Sequence, residues 1–286
     1  MTGLPVDNIR SSVDGRHLSL YDSVARHWAP FDQTDTVFQD ARNAGFSSAV
    51  VGWYNPYCKI LPRVLNHCYW SSRPIFPHDM SPEASIPENI LASVRSVLVS
   101  LSFLGPFHHG LQPTTEEAHL QDYRDLLNAG DSRLNDSTAS FLFLHMPIPH
   151  PGGIYNRAQG NLTTSNASYL DNLALADRYL AHVHQLLSER DEWDSAAVII
   201  MGDHSWRTHI WDQSSAWTAE DDVASQHGQF DDRPAYIVKL PLQNQPKHMD
   251  TPYSARNTRA LLQGIVSGNI RSTSNLEAFV QSCRRR

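Results

Sequence analysis

The sequence is poor in cysteine. Three occur in 286 residues, Cys58, Cys68 and Cys283, and none stands in a C-x-x-C pair, which excludes a cysteine-rich zinc module. Cys58 and Cys68, ten positions apart in NPYCKILPRVLNHCYW, are either a disulfide made in an oxidising compartment or two buried thiols. Basic clusters are equally scarce. Lys and Arg number 23 against 30 Asp and Glu, a formal net charge of −7, and the one basic run, Arg284-Arg285-Arg286, reads as a solvated tail. No nucleic-acid partner is expected from that distribution. The longest apolar run, ILASVRSVLVSLSFLG (90–105), is too short for a membrane span and carries Arg95, so it reads as a buried or amphipathic helix. The opening MTGLPVDNIRSSVDGRH has no apolar core of a secretory leader. Internal repeats and low-complexity linkers are missing too.

What is present suits a folded core. Apolar residues make up 41% and charged residues 19% of the chain, enough burial to exclude disorder. Helix and strand patterns alternate. Residues 35–45, 116–130, 169–190 and 254–268 have helical spacing, the first two stopped by Gly45 and Gly130. Short apolar runs at 47–53, 139–147, 195–203 and 234–241 read as buried strands, and 54–88, rich in Pro and aromatics, as an irregular excursion. Buried strands alternating with helices predict one α/β domain over 1–286, with an open, mostly parallel sheet covered by helices on both faces.

In such sheets the sites lie just beyond the carboxyl ends of the strands. The segment AAVIIMGDHSWRTHIW (196–211) ends an apolar run with Gly202, then Asp203 and His204. A carboxylate beside an imidazole suits Zn²⁺ or a similar divalent ion. The alternative is a helix-capping Asp beside an exposed His. The run FLFLHMPIPHPGGIYNR places His145 and His150 at another strand end, with two prolines stiffening the loop between them. They read as ligands of a second ion, donors to an anionic oxygen, or histidines packed at a strand end. His227, just before the fourth strand, either completes the site or is a plain loop histidine. Arg207 binds an ester's anionic oxygens or pairs with a carboxylate. His108 and His109 have no strand context and read as loop.

Taken in order, HMPIPHPGGIYNR, SYLDNLALADRYLAHVHQLL, DSAAVIIMGDHSWR and DDRPAYIVKLP resemble the sulfatase-like hydrolases and transferases of the alkaline phosphatase superfamily, over about residues 35–270. The H-x4-H spacing of His145 and His150 also resembles the lipid A phosphoethanolamine transferases of that superfamily. The resemblance implies an alkaline-phosphatase-like sheet and a metal-dependent sulfate- or phosphate-ester hydrolase or transferase. It makes Asp203 and His204 metal ligands, His150 a second-metal or substrate-side residue, and His145 its catalytic neighbour, with His227 a further candidate ligand. Zn²⁺ is the first expectation, with Ca²⁺ or Mn²⁺ as alternatives, and an anionic ester is the expected substrate. Family members carry a metal-binding acid on a first strand and a Thr, Ser or modified Cys nucleophile soon after. Neither pattern precedes Thr2-Gly3, so the first strand and the nucleophile are expected to be missing from this chain. On that reading two rivals stand beside the enzyme, a non-catalytic remnant that binds metal or anion and a structural or partner-binding α/β protein. Any membrane association would come only through an upstream segment.

Overall fold

The computed structural model describes residues 2–11, 17–71, 90, 115–212, 217–229 and 233–283. Three strands open it, β1 (Val6–Ser11), β2 (Leu18–Asp22) and β3 (His27–Pro30), paired antiparallel in the order β1-β2-β3. This meander has no counterpart among the expectations from sequence. Its strands are short and mix charged with apolar residues, so neither a period-2 nor a buried run stands out. Arg10 lies 4.0 Å over the Trp28 ring, a contact between its two outer strands.

The site-bearing layer follows. Helix α1 (Val37–Asn43) leads into β4 (Ser48–Trp53), then α2 (Tyr57–Ile60), β5 (His67–Ser71), α3 (Thr115–Leu134) and β6 (Phe141–His145). Strand β4 is central and parallel to both neighbours, in the order β5-β4-β6. Every residue of SAVVGW is buried, which is why its apolar side chains show no alternation. Val50 packs with Phe38 of α1 and Leu61 on one face, and Val51 and Trp53 pack with Leu126 of α3 on the other. The register pairs Gly52 with Trp70 and His145, and Trp53 with Ser71, so the carboxyl ends of the three strands finish level.

Part of the segment expected to be irregular is therefore ordered: residues 57–60 form α2 and 67–71 form β5. The strand HCYWS escapes pattern reading because bulky rings face both ways along it. The rest of that excursion, the expected helix at 90–105 apart from Ile90, His108-His109 and the arginine tail fall outside the described residues.

The remaining elements are β7 (Tyr155–Asn156), β8 (Asn161–Leu162), α4 (Tyr169–Ser188), β9 (Val198–Met201), α5 (Thr208–Trp211), α6 (Ala219–Ala224), β10 (Tyr236–Lys239), α7 (Thr258–Val266) and α8 (Thr273–Cys283). Strand β10 runs antiparallel to β9, and among the described residues this pair is a separate two-stranded sheet. The expectation of one mostly parallel sheet is corrected accordingly: the parallel part is β5-β4-β6. A short apolar run specifies a buried strand but not its direction, and the connection between β9 and β10 brings the chain back alongside itself. Ile199, Tyr236 and Val238 pack against a second core built on Leu240, Leu261, Ile270 and Leu276. Among the described residues no helix is long and apolar enough to cross a membrane.

Cys58 and Cys68 form a disulfide that ties α2 to β5, which decides between the two readings of that pair. Closing a loop of this size restrains the unfolded chain by about 2–3 kcal/mol. Replacing both cysteines by alanine should lower the unfolding free energy in a urea titration by about that amount; an unchanged midpoint would contradict it.

Candidate functional site

The carboxyl end of β4 supplies the hub. The Trp53 indole nitrogen donates to Asp122 Oδ2 at 3.0 Å, and Ser71 Oγ donates to Asp122 Oδ1 at 2.7 Å. Asp122, on α3, is fully buried, so these two bonds replace the water its carboxylate gave up. They also lock the end of β4 to the end of β5. The indole held this way meets three histidines: His119 stacked at 5.7 Å, His150 edge-on at 5.1 Å and His145 edge-on at 6.2 Å.

The loop after β6 is clamped from two sides. His119 places Nδ1 2.8 Å from the Gly152 carbonyl and Nε2 2.5 Å from the Pro147 carbonyl, and as a neutral ring it donates to one of these two ends of the segment carrying His150. Burial holds the His119 pKa below the ordinary histidine value, against the pull of the two carbonyls and of Asp122. From α4, the buried Asn172 donates to the His150 carbonyl at 2.8 Å and accepts from the Ile154 amide at 2.9 Å. Asn172 belongs to YLDNL, whose neighbour Asp171 completes a capping box with Ser168 at the helix start.

His150 donates from Nδ1 to the Pro151 carbonyl at 2.8 Å, which leaves the lone pair on Nε2. Its pKa is pushed down to about 4, chiefly by burial, with His204 also lowering it and Asp203 raising it. His145 Nδ1 lies 2.8 Å from the Tyr57 hydroxyl, and the Trp53 backbone is a further partner of the ring. Burial lowers its pKa and Asp203 opposes that shift. At the end of β9, His204 donates from Nδ1 to the Ser205 carbonyl at 2.6 Å, and its Nε2 faces Asp203 Oδ2 at 3.8 Å. The Asp203 side chain is 70% exposed and that of His204 32%.

Four of the five expected residues thus lie within electrostatic reach of one another, His145 and His150 from β6, Asp203 and His204 from β9. His227 follows α6 in the left-handed region at φ 56°, with Nδ1 2.5 Å from Asp222 Oδ2. No hydrogen bond, ring contact or charge interaction joins it to the other four. Arg207 is also left-handed, at φ 55°, exposed, and caps the short helix α5.

An aromatic wall flanks the Asp203 end. Tyr169 stacks on Trp206 at 4.4 Å, Trp217 lies 5.2 Å from Trp206, and Trp211 meets His150 edge-on at 5.8 Å. The wall is fixed where α6 meets α4. Asp221 accepts from the Leu170 amide at 3.4 Å, and Arg157 bridges Asp171 and Glu220. Burial, aided by Asp203, raises the Tyr169 pKa to about 12.

The donor chemistry fits a divalent ion. Asp203 Oδ2, His204 Nε2 and His150 Nε2 are a carboxylate oxygen and two imidazole lone pairs. Two ligand atoms on a tetrahedral zinc sit about 3.4 Å apart, against 3.8 Å between Asp203 and His204, a difference small enough for a side-chain rotation. His145 has its Nδ1 taken by the Tyr57 hydroxyl. Among the described residues no group of three His, Cys, Asp or Glu is already spaced to hold an ion. No family model, curated protein or solved structure matches the chain.

Sequence reasoning did not find Trp53, Tyr57, Asp122, His119 or Asn172. The available signal was an aromatic residue ending a buried strand and an Asn as the fourth residue of a capped helix.

Two outcomes follow. Asn172→Ala leaves the Ile154 amide and the His150 carbonyl without this partner and should destabilise by about 1–3 kcal/mol in a urea titration, and an unchanged stability would refute the clamp. His150, whose folded pKa lies below its unfolded value, binds protons later than the unfolded chain does. Its contribution to stability is therefore intact above about pH 6.5 and is lost as the pH falls toward about 4. A histidine proton titration by NMR should put the His150 midpoint far below that of an exposed histidine, and a midpoint near 6.5 would contradict the burial.

Proposed function

We propose that this chain is a sulfatase-like domain of the alkaline phosphatase type that acts on sulfate or phosphate esters with a divalent ion, Zn²⁺ first. The observation that carries the reading is the meeting of two strand ends, with His145 and His150 from one and Asp203 and His204 from the other, at the level where α/β sheets place their sites. Asp203 and His204 would hold the ion, with His150 Nε2 as the third donor. When bound, a divalent ion draws charge off the ester's oxygens and favours the ionised form of an attacking oxygen. The chain's own groups supply the rest. Burial keeps His150 neutral, so its Nε2 has an open lone pair at neutral pH. Trp211 and the Tyr169-Trp206 stack wall the ester from water. Arg207, exposed beside Asp203 and His204, is the one nearby cation in sequence that an anionic ester would meet.

A second reading, a metal- or anion-binding domain without turnover, draws on the same donors, Asp203, His204 and His150. The two readings part in one experiment. The ester reading expects stoichiometric zinc after purification in Zn²⁺, loss of that zinc in Asp203→Ala, and zinc-dependent turnover of an aryl sulfate or aryl phosphate. Zinc bound by wild type and lost in Asp203→Ala without any turnover would favour the binding domain. Equal zinc in wild type and Asp203→Ala would refute the ligand assignment in both.

A further inference from the structure

Tyr57 is placed with unusual care for a side chain in a short helix. Its ring lies flat against the bare Cα of Gly52 in β4. A Cβ there would come within 2.2 Å of Tyr57 Cδ2, a contact no real side chain tolerates, so no other residue fits at Gly52 while that ring keeps its seat. The ring is also fixed edge-on against Phe143 at 5.6 Å, and Tyr57 is only 3% exposed. With the ring pinned, its hydroxyl has one place to be. Asn55 Nδ2 donates to it at 3.3 Å, and it reaches His145 Nδ1 at 2.8 Å.

The Tyr57 oxygen already accepts from Asn55, which leaves its own proton to donate to His145 Nδ1, the acceptor in the neutral ring, and the Trp53 carbonyl is a further partner of that imidazole. Hydroxyl, imidazole and orienting carbonyl thus stand in the order of a reacting oxygen, its base, and the group that fixes the base. His145 Nδ1 is taken by the Tyr57 hydroxyl. The atom at the head of the chain is the Tyr57 oxygen, and Asp203, at the end of β9, is near enough to act on it: burial first, with Asp203 adding to it, raises the Tyr57 pKa to about 12. The phenol therefore stays protonated at rest, as a shuttle requires.

We propose that Tyr57 is the proton-transferring residue at the β6 end of this site and that His145 is the base behind it, acting only through the Tyr57 hydroxyl. The proposal rests on the ester-transfer reading. As an attacking water or alcohol gives its proton to the Tyr57 oxygen, the phenolic proton passes to His145 Nδ1. The products are an oxygen nucleophile with its electron pair free, a neutral Tyr57 and a His145 imidazolium still bonded to the Trp53 carbonyl. When the ester bond breaks, the proton returns by the same path. Nδ1–H goes back to the Tyr57 oxygen as the phenolic proton moves to the departing oxygen, and no other reactant is consumed.

The test uses the full chain loaded with Zn²⁺, an aryl phosphate and an aryl sulfate as probes, and Tyr57→Phe, which keeps the ring on Gly52 and removes only the hydroxyl. Tyr57→Phe, His145→Gln and the double variant should each lose turnover by the same factor, on the order of 10²–10⁴, with KM little changed and the fold intact by circular dichroism. A purely structural His145 would make the double variant worse than either single one. Near wild-type turnover in Tyr57→Phe with a silent His145→Gln would overturn the shuttle and leave the ester reading standing. No turnover by metal-loaded wild type would overturn that reading and the shuttle with it. Independently of turnover, ¹⁵N NMR should find His145 Nδ1 unprotonated at neutral pH and shifted in Tyr57→Phe; a protonated Nδ1 in wild type would overturn the proposed direction of transfer.

Discussion

The buried carboxylate of Asp122 fixes everything at the carboxyl edge of the parallel sheet. A polar group out of water must be bonded, and here the bonds come from the Trp53 indole and the Ser71 hydroxyl, the last residues of two adjacent strands. The indole then has one orientation, and in it Trp53 touches His119, His145 and His150 together. Without that anchor the end of β4 would have no reason to hold a large ring over the site. The histidines would lose apolar surface whose burial lowers the pKa of all three. Stability and site chemistry share this interaction, since the group that satisfies Asp122 is the group that packs the imidazoles.

Around this anchor the chain uses small polar devices to hold loops. Asn172 and His119 both bind carbonyls of the segment 147–152, so a loop with three prolines and one glycine is held at several points along its length. The capping boxes at Ser168 and Thr218 do the same for α4 and α6, and Asp221 of the second reaches the Leu170 amide of the first. The Tyr169-Trp206-Trp217 wall is the product of that contact. Rigid placement of this kind is what a site needs if its donors are to be in position before a ligand arrives.

Sequence reasoning reached the strands whose apolar residues run together and the helices whose period is clear. SAVVGW, FLFLH and VIIM are strands because nothing else buries such runs in so few residues, and the long helix from Tyr169 follows from its face of Leu, Ala and Val. It did not reach the antiparallel pairing of β9 with β10, because direction is a property of the connection and not of the run. It did not reach β5, whose His, Cys, Tyr, Trp and Ser show no period. At the site, the D-H and H-x4-H pairs were readable as polar residues at or just beyond two strand ends. Trp53, Tyr57 and Asp122 were not, since a buried Trp, Tyr or Asp has no local pattern and its role depends on partners far away in the chain. His227 looked equivalent to the others in sequence, yet its ring is turned to Asp222.

The central claim is that Asp203, His204 and His150 are one ligand set. Crystals soaked in Zn²⁺ and measured on both sides of the zinc absorption edge test it most directly. The account predicts an anomalous peak about 2.0–2.2 Å from Asp203 Oδ and His204 Nε2, with His150 Nε2 drawn toward it. Ordered zinc elsewhere on the chain, with no peak between Asp203 and His204 at full soaking concentration, would contradict it.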